Sequence, residues 1–316
     1  MATKQKEMKP SDNQVLKCRH NNIPCNPETA VKFNLDGEDF KIHANKVSVS
    51  KSWLEDEARF IATQAPLPGT IVDFWSMVVH YKCKFIVMLC NFTEDGICKA
   101  DPYFALEKGE EQEFGRFKIR TTSFDKIINE TTVKRTLEVV DKEKKHTTIK
   151  VTHFHFLAWK DHDIPDSHEN VSKLMEMVEK DKSPIVVHCS AGVGRTMAFI
   201  GMNVATHIVI NNPKISIEEL LINLRNQRSN CMQTFAQFQW LILGINYRLI
   251  KMFKLHTKVY DAQLKLFKDN KAKFEELGKM RQNRVAAGNE AESSTEETSV
   301  EDVSTCNEET IISIES

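Results

Sequence analysis

The chain has no surplus of charge of either sign, with 43 lysines and arginines against 44 aspartates and glutamates in 316 residues. That balance removes the general electrostatic case for a nucleic acid or an acidic membrane as partner. Nor is there an apolar run approaching the roughly 20 residues of a helical membrane span. The eight cysteines are scattered without a Cys-x-x-Cys pair, and Met1 to Pro10 is polar and basic, unlike a secretory leader. A reducing, cytoplasmic setting is the expectation. Cys18, His20 and Cys25 are zinc-type ligands without an evident fourth, so no metal site is expected. The 41% of hydrophobic residues suffices for the core of one large domain.

What the chain does have is one stretch to which the rest points, Pro184-Ile-Val-Val-His188-Cys189-Ser190-Ala191-Gly192-Val193-Gly194-Arg195-Thr196. The β-branched run Ile185 to Val187 predicts a strand buried on both faces. Gly192 and Gly194 permit a tight loop whose N–H groups turn inward around an oxyanion, and Arg195 adds a planar fork of donors for two phosphate oxygens. A helix N-terminus follows. These positive groups together favour the thiolate of Cys189, making it a candidate nucleophile. His188 and Thr196 are candidates for orienting the loop and the sulfur. On its own, a cysteine after a buried strand is an ordinary small core residue; the constellation carries the argument.

His-Cys-Ser-Ala-Gly-Val-Gly-Arg-Thr resembles the active-site loop of the protein tyrosine phosphatases, with Met197 standing where that family has a small residue. Other segments resemble the family in the same order. Lys17-Cys18-Arg19-His20, with Asn22, resembles its phosphotyrosine-recognition loop, in which a tyrosine stacks on the substrate and an aspartate anchors its backbone. His20 and Asn22 occupy those two positions here. Phe60 to Pro68 and Asp73-Phe74-Trp75 resemble scaffold segments and read as a loop leading into a buried helix. Glu94-Asp-Gly-Ile-Cys-Lys99 resembles a loop whose glutamate holds the catalytic arginine and whose lysine approaches the acid loop. Trp159-Lys160-Asp161 resembles that mobile acid loop, with Lys160 and Asp163 replacing a proline and a glycine. The resemblance implies Asp161 as general acid, Gln233 as the residue placing the hydrolytic water, Gln237 beside it, and Arg225 and Arg228 as braces. Ile42-His43-Ala44-Asn45 resembles the polydnavirus branch, which would imply a host-cell cytoplasm.

Between these motifs, Thr131 to Val140 and His146 to Phe156 alternate as an antiparallel hairpin around a charged turn, with His153 and His155 read as packing or surface residues. Helices are expected over 168–182, 196–210 and 217–226, the last capped by Ser216, and from near Phe235 through a Lys-rich stretch with a break. The expected organisation is a flexible 1–15, a catalytic domain over 16–255, a basic helix over 256–285 and an acidic, aromatic-free, disordered 286–316. The resemblance implies an α/β fold with a central mixed, twisted sheet flanked by helices. It further implies a cysteine-dependent phosphatase, without metal or cofactor, acting on phosphotyrosine-containing proteins. The competing readings are a phosphotyrosine-binding module without turnover and a phosphatase of phosphoinositide or RNA phosphates.

Overall fold

Four consecutive side chains, Ile185 to His188, are buried because their strand lies inside a sheet with a strand on each side. The computed structural model describes residues 17–49, 59–144, 147–161, 163–266 and 268–269; the expected basic helix beyond 269 and both terminal tails lie outside them. Among the described residues, nine strands form one mixed sheet and two short ones form a separate hairpin. In chain order the strands are β1 (Ala30–Leu35), β2 (Glu38–Val47), β3 (Phe60–Thr63), β4 (Phe85–Met88), β5 (Thr93–Glu94), β6 (Ile97–Cys98), β7 (Glu111–Phe114), β8 (Phe117–Ile127), β9 (Thr132–Asp141), β10 (Thr147–Phe156) and β11 (Ile185–His188). The sheet order is β1-β2-β3-β11-β4-β10-β9-β8-β7.

Its centre is parallel, with β11 between β3 and β4, and β10 next to β4. Both flanks are antiparallel. The alternating segments pair as expected, Val151 facing Leu137 and Phe154 facing Lys134. The sequence reading is corrected at Phe60–Thr63, which is a buried strand and not a loop. Four residues are too few to show a period, so only the pairing with β2 and β11 distinguishes this strand from the loop after it. His153 and His155, read as packing or surface residues, are both fully inside.

The helices are α1 (Ile71–His80), α2 (His168–Val178), α3 (Arg195–Asn211), α4 (Ile217–Gln227) and α5 (Phe235–Phe253). Helix α3 is buried along most of its length and packs on β3 and β11, so the loop before it is pinned at both ends. Met197 is fully buried in its first turn, its bulk taken up inside the fold. Ser216 caps α4 through Glu219 N–H, and Glu219 returns a bond to Ser216 N–H, a reciprocal capping box. Helix α5 ends before Lys254, which has φ +51°, and a shorter helix resumes over 258–266. The chain divides into two compact units between Ile245 and Asn246. Among the described residues no helix is long and apolar enough to cross a membrane.

Candidate active site

The loop from β11 to α3 has its carbonyl groups fixed one by one. His188 O accepts from Leu89 N–H at 2.9 Å, Ser190 O from Ala65 N–H at 2.9 Å, Val193 O from Met232 N–H at 3.3 Å and Gly194 O from Ala198 N–H at 2.9 Å. Arg228 donates to Ala191 O and Gly192 O, both at 3.1 Å, and His188 Nδ1 to Cys189 O at 3.1 Å. With the carbonyls committed outward, a tight loop turns its N–H groups to the opposite side, as an anion nest. Gly192 N–H lies 3.3 Å from Cys189 Sγ, and the thiol is 4% exposed. Gly192 has φ +72°, and a Cβ there would run into the Thr63 carbonyl, so the loop closes only around glycine.

Arg228 is fully buried and braces this arrangement from behind. It also donates to Asn45 Oδ1 at 2.6 Å and to His43 Nδ1 at 3.2 Å. Burial, followed by the neighbouring Arg228 charge, pulls His43 down to about 4, so the ring is neutral and its Nδ1 free to accept. The Ile42 to Asn45 run is therefore part of the loop's support. Arg225, expected as a second brace, donates to Cys231 O at 3.3 Å.

Arg195 has a side chain with no exposure. Its Nη1 donates to Glu94 Oε1 at 2.6 Å and to Trp159 O at 2.8 Å, and its Nη2 to Asp161 Oδ1 at 3.0 Å. Burial works against its charge, but Cys189, Cys90, Glu94 and Asp161 outweigh it and hold the guanidinium protonated above its ordinary value. Lys99 Nζ reaches the other Asp161 oxygen at 2.8 Å. Glu94, Lys99 and Asp161 thus come together around Arg195, although they lie up to 101 residues from it in sequence. Four buried atoms around the loop lack a hydrogen-bond partner among the described residues: Arg195 Nε, Glu94 Oε2, Thr196 Oγ1 and Gln237 Nε2.

Gln233 and Gln237 sit over the closing end of the loop. A Cβ on Gly194 would stand 2.7 Å from Gln233 Oε1 and 2.8 Å from Gln237 Nε2. Gln237 Oε1 accepts from Gln233 N–H at 3.0 Å, joining the two. At the mouth, His20 Nε2 lies 3.1 Å from Ser190 Oγ. The segment bearing His20 is anchored by Arg19, whose side chain bonds Ala65 O at 3.1 Å, Pro66 O at 2.9 Å and the Asp101 carboxylate. Asn22 is exposed, its carbonyl accepting from Asn230 Nδ2 at 3.3 Å.

A buried cysteine sulfur beside a fixed guanidinium, with a carboxylate and an amide pair at its rim, suits nucleophilic attack on a phosphate ester. Burial pushes the thiols of Cys83 and Cys231 up to about 12. Sequence reasoning missed the supporting roles of His43, Asn45 and Asp101. Nothing local marks them, since each acts through a contact made across the fold. Cys18 and Cys25 hold no metal cluster among the described residues; Cys25 Sγ donates to Ala44 O at 3.3 Å.

Residues 14–247 match the family described as protein-tyrosine phosphatase. The rat tyrosine-protein phosphatase non-receptor type 20 is 35% identical over 205 residues, covering 62% of this chain and 48% of the relative. An Arabidopsis thaliana protein-tyrosine-phosphatase, PTP1, is 33% identical over 203 residues, 62% of this chain and 58% of its own. The chain thus spans about half the length of these relatives. Among solved structures, the catalytic domain of human protein tyrosine phosphatase non-receptor type 18 superposes with a TM-score of 0.68 at 26% identity, covering 75% of this chain and 86% of its own. The same phosphatase in complex with HER2-pY1196 phosphopeptides gives a TM-score of 0.67 at 26% identity, covering 75% and 82%.

Proposed function

The chain belongs to the protein-tyrosine phosphatase family, and from that premise we propose that it hydrolyses phosphotyrosine in proteins through a cysteinyl-phosphate intermediate. The observation that carries this reading is the loop itself. Its carbonyls are fixed outward, Gly192 N–H meets Cys189 Sγ, and Arg195 is locked by Glu94. Such a cradle is organised before substrate arrives, so it stabilises transition-state charge without reorganising.

In this reading the Cys189 thiolate attacks phosphorus while the bond to the phenolic oxygen breaks. Arg195 and the amides of Ser190, Ala191, Gly192, Val193 and Gly194 hold the equatorial oxygens, and Asp161 gives its proton to the leaving oxygen. Water placed by Gln233, with Gln237 beside it, then attacks phosphorus, its proton passing to the Asp161 carboxylate as the thiolate departs. His20 and Asn22 border the entrance and contribute to substrate recognition. No step needs a metal or cofactor. Residues 16–255 form the catalytic domain in this proposal, and the cytoplasm, where phosphotyrosine proteins are met, is the setting.

The test is steady-state turnover of a tyrosine phosphopeptide, a phosphoinositide and an RNA 5′-phosphate by the full chain and by Cys189→Ser. Expected are turnover of the phosphopeptide by the parent, and its loss in Cys189→Ser with phosphate-ester binding retained, because the nucleophile goes and the cradle stays. Turnover close to the parent's in Cys189→Ser sinks the mechanism. Preference for either other substrate overturns the assignment to phosphotyrosine, and binding by the parent without turnover makes the site a capture module.

A further inference from the structure

Charge balances in this chain only when its last residues are counted with the rest. Nine of the 44 acidic residues and none of the 43 basic ones lie beyond Arg284. Residues 1–284 therefore hold 43 basic against 35 acidic side chains, a formal surplus of eight positive charges facing nine negative ones at the end of the chain. Blocks of opposite sign on one chain attract each other.

One described surface suits the acidic end in both charge and polarity. Helix α5 closes with Leu255 N–H on Ile250 O at 2.9 Å, past Lys254 in the left-handed region. The helix over 258–266 then folds back on α5, where Tyr260 packs on the Tyr247 ring at 5.3 Å and Asn246 Nδ2 donates to Gln263 Oε1 at 3.2 Å. The segment between them is fixed with every residue from Lys251 to Val259 exposed. Met252, Phe253, Leu255 and Val259 are 49, 57, 55 and 68% exposed, a concentration of large apolar side chains that marks an interaction surface. Lys251, Lys254 and Lys258 are interleaved with them, and none has a carboxylate partner among the described residues.

We propose that residues 296–315, which lie outside the described residues, dock on the Lys251 to Val259 surface of their own chain. That segment carries the complementary pattern of seven carboxylates, no lysine or arginine, and five aliphatic side chains from Val300 to Ile314. Exposed ion pairs alone are weak, and covering the apolar side chains supplies the rest. The anion cradle is a poorer host for this segment, since the Arg195 side chain has no exposure and is already bonded to Glu94 and Asp161. Between Asp269 and Glu296 lie 26 residues, which at up to about 3.3 Å each are enough to return to the surface. Tethering holds the segment at an effective concentration of roughly the mM range, so contacts too weak to hold a free peptide suffice.

The test is zero-length cross-linking of the full chain by a carbodiimide, which joins a lysine amine to a carboxylate with loss of water, and mass spectrometry of the monomer fraction. Links should concentrate between Lys251, Lys254 or Lys258 and the carboxylates of 296–315. They should fall severalfold at about 1 M salt, where the screening length is only about 3 Å. Links spread evenly over the exposed lysines of the chain, or confined to covalent dimers, overturn the proposal. Phe253→Ser with Leu255→Ser keeps every amine and carboxylate and alters only exposed side chains, and it should lower the yield of these links severalfold. An unchanged yield reduces the contact to general attraction between charges and overturns docking at this surface. The parent should also stay in solution with vesicles of phosphatidylcholine and phosphatidylserine, because its basic apolar surface is covered. Sedimentation with the vesicles gives that surface to a membrane and overturns the proposal. None of these readings uses turnover, so a chain without phosphatase activity would defeat the proposed function and leave the docking test intact.

Discussion

Asp161 Oδ1 lies 3.0 Å from Arg195 Nη2, so the candidate acid and the candidate phosphate-binding guanidinium are in direct contact. A phosphoryl group held by Arg195 would place its leaving oxygen beside this carboxylate. Lys99, on the other Asp161 oxygen, fixes the loop in register with the cradle. Asp161→Ala should therefore slow esters of poor leaving groups by about 10² to 10⁴ and hardly affect good ones, which need no proton in the transition state. A series of aryl phosphates with graded phenol acidity checks this, and equal losses across the series would assign Asp161 to the scaffold.

Arg228 makes four hydrogen bonds, two to loop carbonyls and two to β2 side chains, from a fully buried position. Arg228→Met removes those donors while keeping much of the volume. Asn45 Oδ1 and the carbonyls of Ala191 and Gly192 then lose donors inside the fold, at roughly 1–3 kcal/mol each where nothing replaces them. Denaturant unfolding should show a loss of several kcal/mol, and kcat should fall even where the variant is fully folded. Unchanged stability would mean that water restores the lost donors.

The buried histidines make stability depend on pH with a definite sign. Burial is the main cause that lowers His43 and His188 to about 4 and His155 to about 3, against an ordinary value of 6.5. A group depressed in the fold is neutral there while the unfolded chain takes up a proton, so stability rises with pH across that window. It should be complete above about pH 6.5 and decline as pH falls towards 4, by up to about 1.4 kcal/mol per pH unit for each histidine. Chemical denaturation between pH 4 and 7.5 measures the slope. A flat profile would mean that these rings are not held neutral.

His20, in contact with Ser190, and Asn22 stand where the family resemblance places a stacking tyrosine and a backbone-anchoring aspartate. An imidazole offers less apolar area for stacking than a phenol, and a neutral amide cannot make a charge-assisted bond to a peptide N–H. His20→Tyr with Asn22→Asp should lower KM for a phosphopeptide and leave kcat largely unchanged, the pattern of binding shared by ground and transition states. The His20–Ser190 contact sharpens the test, since the exchange also removes a hydrogen-bond partner from the loop. An unchanged or higher KM would show that this segment does not read phosphotyrosine.

Local pattern alone determined a good deal of this protein. The buried run Ile185 to Val187, the glycines of the loop and the helix beginning at Arg195 are encoded within about a dozen residues, because strand burial, tight turns and helix starts depend on near neighbours. The β9–β10 pairing was legible for the same reason, since alternation over ten residues fixes which face is buried. Tertiary structure decided the rest. Phe60–Thr63 is a strand only because β2 and β11 pair with it, and His153, one of several scattered histidines in sequence, becomes a partner of Tyr103 only when β10 enters the sheet. Asn45 and His43 meet Arg228 across more than 180 residues, a contact without local periodicity or spacing to announce it. The loop's residues are written in one stretch, but what holds its carbonyls outward comes from distant segments, because a backbone polar group inside a fold must find its partner wherever the packing brings one.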